Sequence, residues 1–427
     1  MVWEVVLREI SRRRSGSASL GIGPRSAPGR SISGTPDQFS PGRRGPTFAG
    51  GHEPGERATM ATNRTPVRSL AEVTCALDPE ATSTVPYPQP VPPNDATHRF
   101  AFGHLTLDEA IAQLPTRVAE LLAANVQTAL PAIARDPTIT DQVERVSGQL
   151  RSEHTLVLGD ARQMQEVPDE SVHLAVTSPP YWTLKEYEHH EGQLGAVADY
   201  EAFVDQLARV WREVYRVLVP GGRLVVVVGD VLLSRRAYGR HVVFPLHASI
   251  QESCRKIGFD NLAPIIWYKI GNAALEVENG SSFLGKPYEP NAVIKNDLEY
   301  ILFQRKPGGY RKVSTATRVL SVIPAARHAE WFTQVWSMGG ASTREHPAPY
   351  PLSMIERLVR MFSFVGDTVL DPFTGTGTTN IAAARWGRNS IGWEVIDSYV
   401  DLAARRIARE VAAGDQLRLD TPVSDAR

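Results

Sequence analysis

Residues 172–182 read Val172-His173-Leu174-Ala175-Val176-Thr177-Ser178-Pro179-Pro180-Tyr181-Trp182, and the fold turns on this stretch. Its apolar run predicts a buried strand of a parallel sheet. Two consecutive prolines cannot continue a ladder, so the strand ends there on stiff backbone. That leaves a hydroxyl (Ser178), carbonyls and an aromatic ring (Tyr181) at a strand's carboxyl end, the edge at which open α/β sheets bind ligands. An isolated Ser-Pro-Pro-Tyr is most often a plain turn, but here a second motif fits the same site.

That motif is Leu370-Asp371-Pro372-Phe373-Thr374-Gly375-Thr376-Gly377-Thr378-Thr379. A strand over Thr368–Leu370 enters a glycine-bearing turn, and an alanine-rich helix follows over Asn380–Trp386. A second strand, Ser390–Trp393, then delivers Glu394. Glycines let backbone approach a ligand closely, and a carboxylate closing the next strand is placed to accept from two ribose hydroxyls. The third glycine of G-x-G-x-x-G is missing and no Gly-Lys-Ser/Thr follows, which disfavours pyrophosphate and P-loop binding. An adenosine ligand without phosphates fits better, and S-adenosyl-L-methionine is the common one.

In this order, Thr-Ser-Pro-Pro-Tyr-Trp and Asp-Pro-Phe-x-Gly-x-Gly-Thr-Thr resemble the β-group of DNA amino-methyltransferases, over roughly Thr155–Ala413. Those enzymes methylate the exocyclic N4 amine of cytosine or N6 amine of adenine, often within restriction–modification systems. The resemblance implies a circularly permuted class I (Rossmann-like) methyltransferase sheet with helices on both faces. The strand order agrees: the strand ending at Asp160 comes first, and the chain stops one helix (Asp397–Ala413) after Glu394. It also implies that Ser178, Pro179, Pro180 and Tyr181 are catalytic. Asp160, Asp371, Phe373, Gly375, Gly377, Thr378 and Glu394 would hold S-adenosyl-L-methionine, with the run His346–Pro351 lining its methionine end. By itself Asp160 reads equally as a helix N-cap, and Phe373 equally as core packing. Double-stranded DNA is the implied partner, with a cognate restriction endonuclease in the same system.

The rest of the chain sets bounds. Residues 1–100 are rich in Arg, Ser, Gly and Pro, and bury too little to offset their ordering entropy. They read as a disordered or mis-annotated N-terminal extension with an alternative start at Met60, or as a transit peptide. Residues 101–150 read as a helical lead-in, opened by a capping box at Thr106–Glu109 and broken at Asp136-Pro137. The methyltransferase domain takes 151–413, and 414–427 form a tail. Cys75 and Cys254 alone exclude a disulfide framework and four-ligand zinc spacing, and neither follows a proline, so no Pro-Cys nucleophile exists. His189 and His190 read as loop surface, and no metal is expected. No apolar run approaches a membrane span, so the chain reads as soluble, and the resemblance implies a DNA-associated protein of the bacterial or archaeal cytoplasm.

A net charge of −1 does not advertise nucleic-acid binding, so any DNA surface must be local. Between Glu299 and Glu330 there is no acidic residue, while Arg305, Lys306, Arg311, Lys312 and Arg318 fall in that window. This predicts a DNA-recognition insert over about 306–345, with Arg235, Arg236, Arg240 and His241 as a second flank. Ser178, where adenine-specific relatives commonly carry Asp or Asn, favours cytosine N4, with adenine N6 as the alternative. An RNA or small-molecule methyltransferase would leave Ser-Pro-Pro-Tyr and the basic window unexplained. A non-catalytic DNA-binding relative would leave the intact motifs unexplained.

Overall fold

Alternating inward-facing residues on continuous apolar strands build a sheet buried on both faces. The computed structural model describes residues 97–184, 187–188, 190–269, 296–341 and 349–419. Its main sheet uses β1 (Thr97–Phe102), β2 (Ser152–Leu158), β3 (Val172–Thr177), β4 (Leu218–Val228), β7 (Asp260–Tyr268), β8 (Leu298–Arg305), β9 (Val335–Ser337), β10 (Thr368–Asp371) and β11 (Asn389–Glu394). A small hairpin, β5 (Val231–Leu233) and β6 (Val242–Phe244), stands apart from it.

The spatial order is β1-β2-β11-β10-β3-β4-β8-β7-β9. Strands β2, β11, β10, β3 and β4 run parallel, and β8 returns antiparallel to β4. The two last strands in sequence therefore fill the middle of the sheet, between β2 and β3. This is the circularly permuted class I methyltransferase sheet.

Ala175, Leu224, Val226 and Val228 face one layer, built on the helix Tyr200–Val217 through Phe203, Leu207 and Trp211. Leu174, Val176, Val225 and Val227 face the other, built on the helix Leu352–Phe362 through Ile355 and Leu358.

Pro220-Gly221-Gly222 forms an irregularity inside β4, between the pairs Val172↔Leu218 and Leu174↔Arg223, after the preceding helix has stopped at Val217. Two local features differ from the sequence reading. The lead-in contains four short helices, 107–112, 116–124, 126–135 and 137–147, because Pro115, Asn125 and Asp136 each start a new one. They share a core of Ile111, Val118, Leu122, Ile133 and Val143 that closes on Val319, Leu320 and Val365. Finally, β1 begins inside the stretch assigned to the N-terminal extension and pairs with β2, and the last helix, Asp397–Leu419, continues into the expected tail. The rest of that extension, up to residue 96 and including Met60, lies outside the described residues. So do His189, the window's 342–345 and, of the run His346–Pro351, the residues up to 348.

Candidate active site

The carboxyl ends of β2, β11, β10, β3 and β4 meet on one edge of the sheet, and Asp371 joins the two sequence motifs there. Its Oδ1 accepts from the Thr177 hydroxyl at 2.7 Å and the Phe373 N–H at 3.0 Å. Its Oδ2 accepts from the Tyr350 hydroxyl at 2.7 Å and the Thr379 hydroxyl at 2.6 Å. Burial pushes its pKa up, and these donors oppose the shift. Asp371 is fully buried, and the neighbouring pocket is lined from Pro372 onward. Asp371 thus ties the two motifs together inside the protein.

The glycines of the turn likewise face protein. Gly377 has φ +77° at a helix N-terminus, and a Cβ there would lie 3.1 Å from Ala403 of the last helix. Gly375, at φ +50°, donates its N–H to Glu394 at 2.9 Å. Thr378 is buried, 3.4 Å from the Arg406 guanidinium. Gly375, Gly377 and Thr378 are absent from the lining of that pocket.

That lining includes Asp160, Ser178, Pro180, Gly192, Phe373 and Glu394. Two carboxylates from adjacent strands, Asp160 after β2 and Glu394 ending β11, therefore face one space. Glu394 Oε1 accepts from the N–H groups of Val395 (2.9 Å) and Ile396 (3.0 Å). Burial raises its pKa to about 7, against the pull of these donors. Asp160 is held by Arg162, whose Nε lies 3.0 Å from each oxygen. A Cβ on Gly192 would come 2.7 Å from Val395 and 3.4 Å from Asp160 Oδ2, so only glycine keeps that wall open. Phe373 is half-buried, edge-on to Trp211.

Around the prolines, Ser178 is half-buried and Tyr181 is 8% exposed. The Tyr181 hydroxyl donates to Glu299 Oε2 at 2.9 Å and sits 3.5 Å from Ser178 Oγ. Glu299, opening β8, is ion-paired with Lys269, whose ammonium lies over the Trp267 ring. Trp182 takes a left-handed φ of +47°, fixed by its indole N–H on the Val197 carbonyl and by ring contacts with Tyr200 and Phe244. At the end of β4, Asp230 binds His247 Nδ1 at 2.6 Å, and that imidazole stacks on Tyr300 at 3.9 Å.

Sequence reasoning missed Glu299, Lys269, the Asp230–His247 pair, and Tyr187 and Tyr399, which line the same pocket. Each lies on an ordinary strand, loop or helix with no motif around it, and only the fold brings it to this edge.

The predicted DNA strip lies elsewhere. Because β8 is antiparallel to β4, Glu299 starts it at the active-site edge and Arg305 ends it at the other, roughly 20 Å away. Arg305 pairs with Asp260 at 2.8 Å, Lys306 reaches Glu170 at 3.2 Å, and Arg311 holds Asp367 at 2.5 Å. Lys312 and Arg318 are exposed on segments following that far edge. The reversal of one strand carries Arg305, Lys306 and Arg311 away from Ser178, while β9, parallel to β7, brings Ser337 of the later insert back beside Tyr268 at the active-site edge. By contrast, Arg235 and Arg240 are exposed on the β5–β6 connection, which leaves the active-site end of β4.

Among the described residues no cluster of His, Cys, Asp or Glu could hold a metal ion, and no helix is long and apolar enough to cross a membrane.

Comparison with known proteins bears on this geometry. A family model described as DNA methylase matches residues 172–405. The type II methyltransferase M.MjaI of Methanocaldococcus jannaschii is 38% identical over 61% of this chain and 93% of its own length. M.MthZI of Methanothermobacter thermautotrophicus, also a type II methyltransferase, is 31% identical over 63% and 80%. Among solved structures, a putative DNA modification methylase of Thermus thermophilus, in complex with S-adenosyl-L-methionine, is 55% identical over 60% of this chain and 93% of that one, with a TM-score of 0.50.

Proposed function

Because this chain belongs to the DNA methylase family of S-adenosylmethionine-dependent amino-methyltransferases, we propose that its target is N4 of a cytosine flipped out of double-stranded DNA. The observation that carries this reading is that Ser178 and Pro180 line the same pocket as Asp160 and Glu394. The acceptor machinery and the adenosine-type carboxylates thus share one space.

The residues present fit the donor. Glu394 would hold the ribose hydroxyls, since backbone N–H groups leave its oxygens further lone pairs. Asp160 would hold the adenine amine, and the glycine wall at Gly192 keeps room for the ring. S-adenosylmethionine supplies a methyl on a sulfonium, a leaving group that needs little activation. The difficulty is the acceptor amine, whose lone pair is conjugated into the base. Ser178 Oγ and the Pro179 carbonyl accept its two hydrogens and turn nitrogen density toward the methyl. Tyr181, anchored through Glu299 and Lys269, fixes the height of the Ser-Pro-Pro turn and offers its remaining exposed edge to the base. Positioning dominates such an in-line displacement. Flipping the base costs a few kcal/mol, offset by contacts to its bared edge.

Ser178 at the first motif position favours cytosine over adenine. Incubating unmodified plasmid with labelled donor and analysing the digested nucleosides tests this: N4-methylcytosine is expected. N6-methyladenine would overturn the base assignment and leave the roles of Ser178 and Pro179 intact. We place the DNA on the carboxyl edge of the sheet, flanked by Arg235 and Arg240, and a cognate restriction endonuclease in the same system.

A further inference from the structure

Opposite the methyl-transfer pocket, at the amino-terminal ends of β3 and β4, lies a cavity of about 720 Å³. Arg223, Arg305, Arg311, Arg318 and Arg360 all line it. Asp367 is the one carboxylate among its described lining residues, and it is already held by Arg311 at 2.5 Å and by the Phe364 N–H at 2.8 Å. Arg305 is paired with Asp260 and Arg360 with Glu144. Arg223 and Arg318 have no carboxylate partner among the described residues.

Two guanidinium nitrogens here, Arg223 Nε and Arg360 Nη1, are buried without an acceptor. Arg360 is only 6% exposed. Leaving charged N–H groups unsatisfied is costly, and gathering like charges around a concave space adds to the cost. An anion seated among these guanidinium groups would offset their mutual repulsion. The rim is built for close approach: a Cβ on Gly221 would lie 2.9 Å from the Gly309 carbonyl oxygen, and Gly308 abuts Pro220. Between these loops Tyr310 stands fully exposed.

We propose that this cavity is a second ligand site, binding a small phosphate-bearing anion of the nucleotide class through Arg223, Arg318 and Arg360, with Tyr310 available to stack on its base. Planar guanidinium forks match phosphate oxygens in pairs, and a fully exposed phenol ring offers a face to a flat heterocycle. A concave site on the edge away from Ser178 suits a small ligand better than a duplex that must present a base on the other edge.

Calorimetric titration of the full chain with adenosine triphosphate and with pyrophosphate tests this, at saturating S-adenosylmethionine so that the adenosine pocket is filled. Saturable triphosphate binding is expected, weakened roughly ten-fold or more by Arg318→Glu and by Arg223→Ala, with donor affinity unchanged in Arg318→Glu. Should Arg223→Ala unfold, the exposed Arg318 still decides. No binding at millimolar anion would overturn the proposal, as would binding that survives Arg318→Glu. A flattened salt dependence of duplex binding in Arg318→Glu without triphosphate binding would overturn it too, and would assign these arginines to DNA. None of these outcomes depends on methyl transfer, and donor affinity reports the state of the adenosine pocket separately.

Discussion

Glu394 carries a pH dependence whose sign can be worked out. Its folded pKa of about 7 lies above the ordinary 4.5, so the protonated form is favoured on folding. Its contribution to stability is full below the unfolded value and declines as pH rises through about 7. Donor binding runs the other way, because ribose hydroxyls need the carboxylate as acceptor. Donor affinity should therefore rise between about pH 6 and pH 8 and then level off. Glu394→Gln should flatten that profile and weaken binding by roughly 1–3 kcal/mol in calorimetric titration. His154 has the opposite stability sign. Enclosed by Ser152 and Ser390, it is held neutral, with its pKa lowered to about 3 by burial. The unfolded chain takes up a proton near pH 6.5 that the folded one refuses, so its contribution is full above that pH and is lost as pH falls toward 3. The melting temperature should drop on acidification below about pH 6, less steeply in His154→Asn. Glu299 is a positioning residue: Glu299→Gln keeps an acceptor for Tyr181 but loses the Lys269 pair. The methylation rate constant should fall between roughly ten- and a hundred-fold while donor affinity stays unchanged. A parallel loss of donor affinity would mean that the pocket itself had shifted.

At the scale of elements, β3 and β10 are neighbours with few ladder contacts at their ends, and Asp371 ties them together by side chains. Thr177→Val is nearly isosteric and removes one of the four donors. The buried carboxylate is then under-satisfied, at a cost of about 1–3 kcal/mol. Thermal melts should register this loss, with a smaller loss of donor binding than the carboxylate substitution Asp371→Ala causes. Gly377→Ala forces a side chain into a left-handed conformation against Ala403 and should cost about 1–2 kcal/mol. Its effect should appear in stability before it appears in donor affinity, because that face meets the last helix. The turn's glycines were legible as necessary from their spacing. Their reason was not, since a glycine needed for a ligand and one needed for a helix contact look alike in sequence.

For the whole molecule, the sheet places its last two strands in the middle, so connectivity and spatial order are separable. A chain opened at Gly339–Gly340, two exposed glycines, with a flexible linker from the last helix to β1, would begin with β10 and β11. It should melt cooperatively and retain donor binding, since no layer contact is cut. DNA binding tests the orientation of the edges. Arg311→Ala with Lys312→Ala should leave the salt dependence of duplex binding unchanged, whereas Arg235→Ala with Arg240→Ala should flatten it. The reverse pattern would return the duplex to the far edge.

The sequence by itself determined the parallel strands β2, β3, β4, β10 and β11, their permuted order along the chain, and the meeting of Ser178 and Pro180 with Glu394 and Asp160. Those signals are local: apolar runs give strands, prolines end one, glycines turn another, and carboxylates close the strands beside the site. Only the tertiary structure decided which side chains face the pocket. Asp371 is bound by four protein donors and Gly377 packs near Ala403, while Glu299 and Lys269 come to Tyr181 from a distant part of the chain. The basic window was legible as a charge run but not as a location. Charge composition carries no direction, and the antiparallel course of β8 delivers those arginines to the edge away from the prolines.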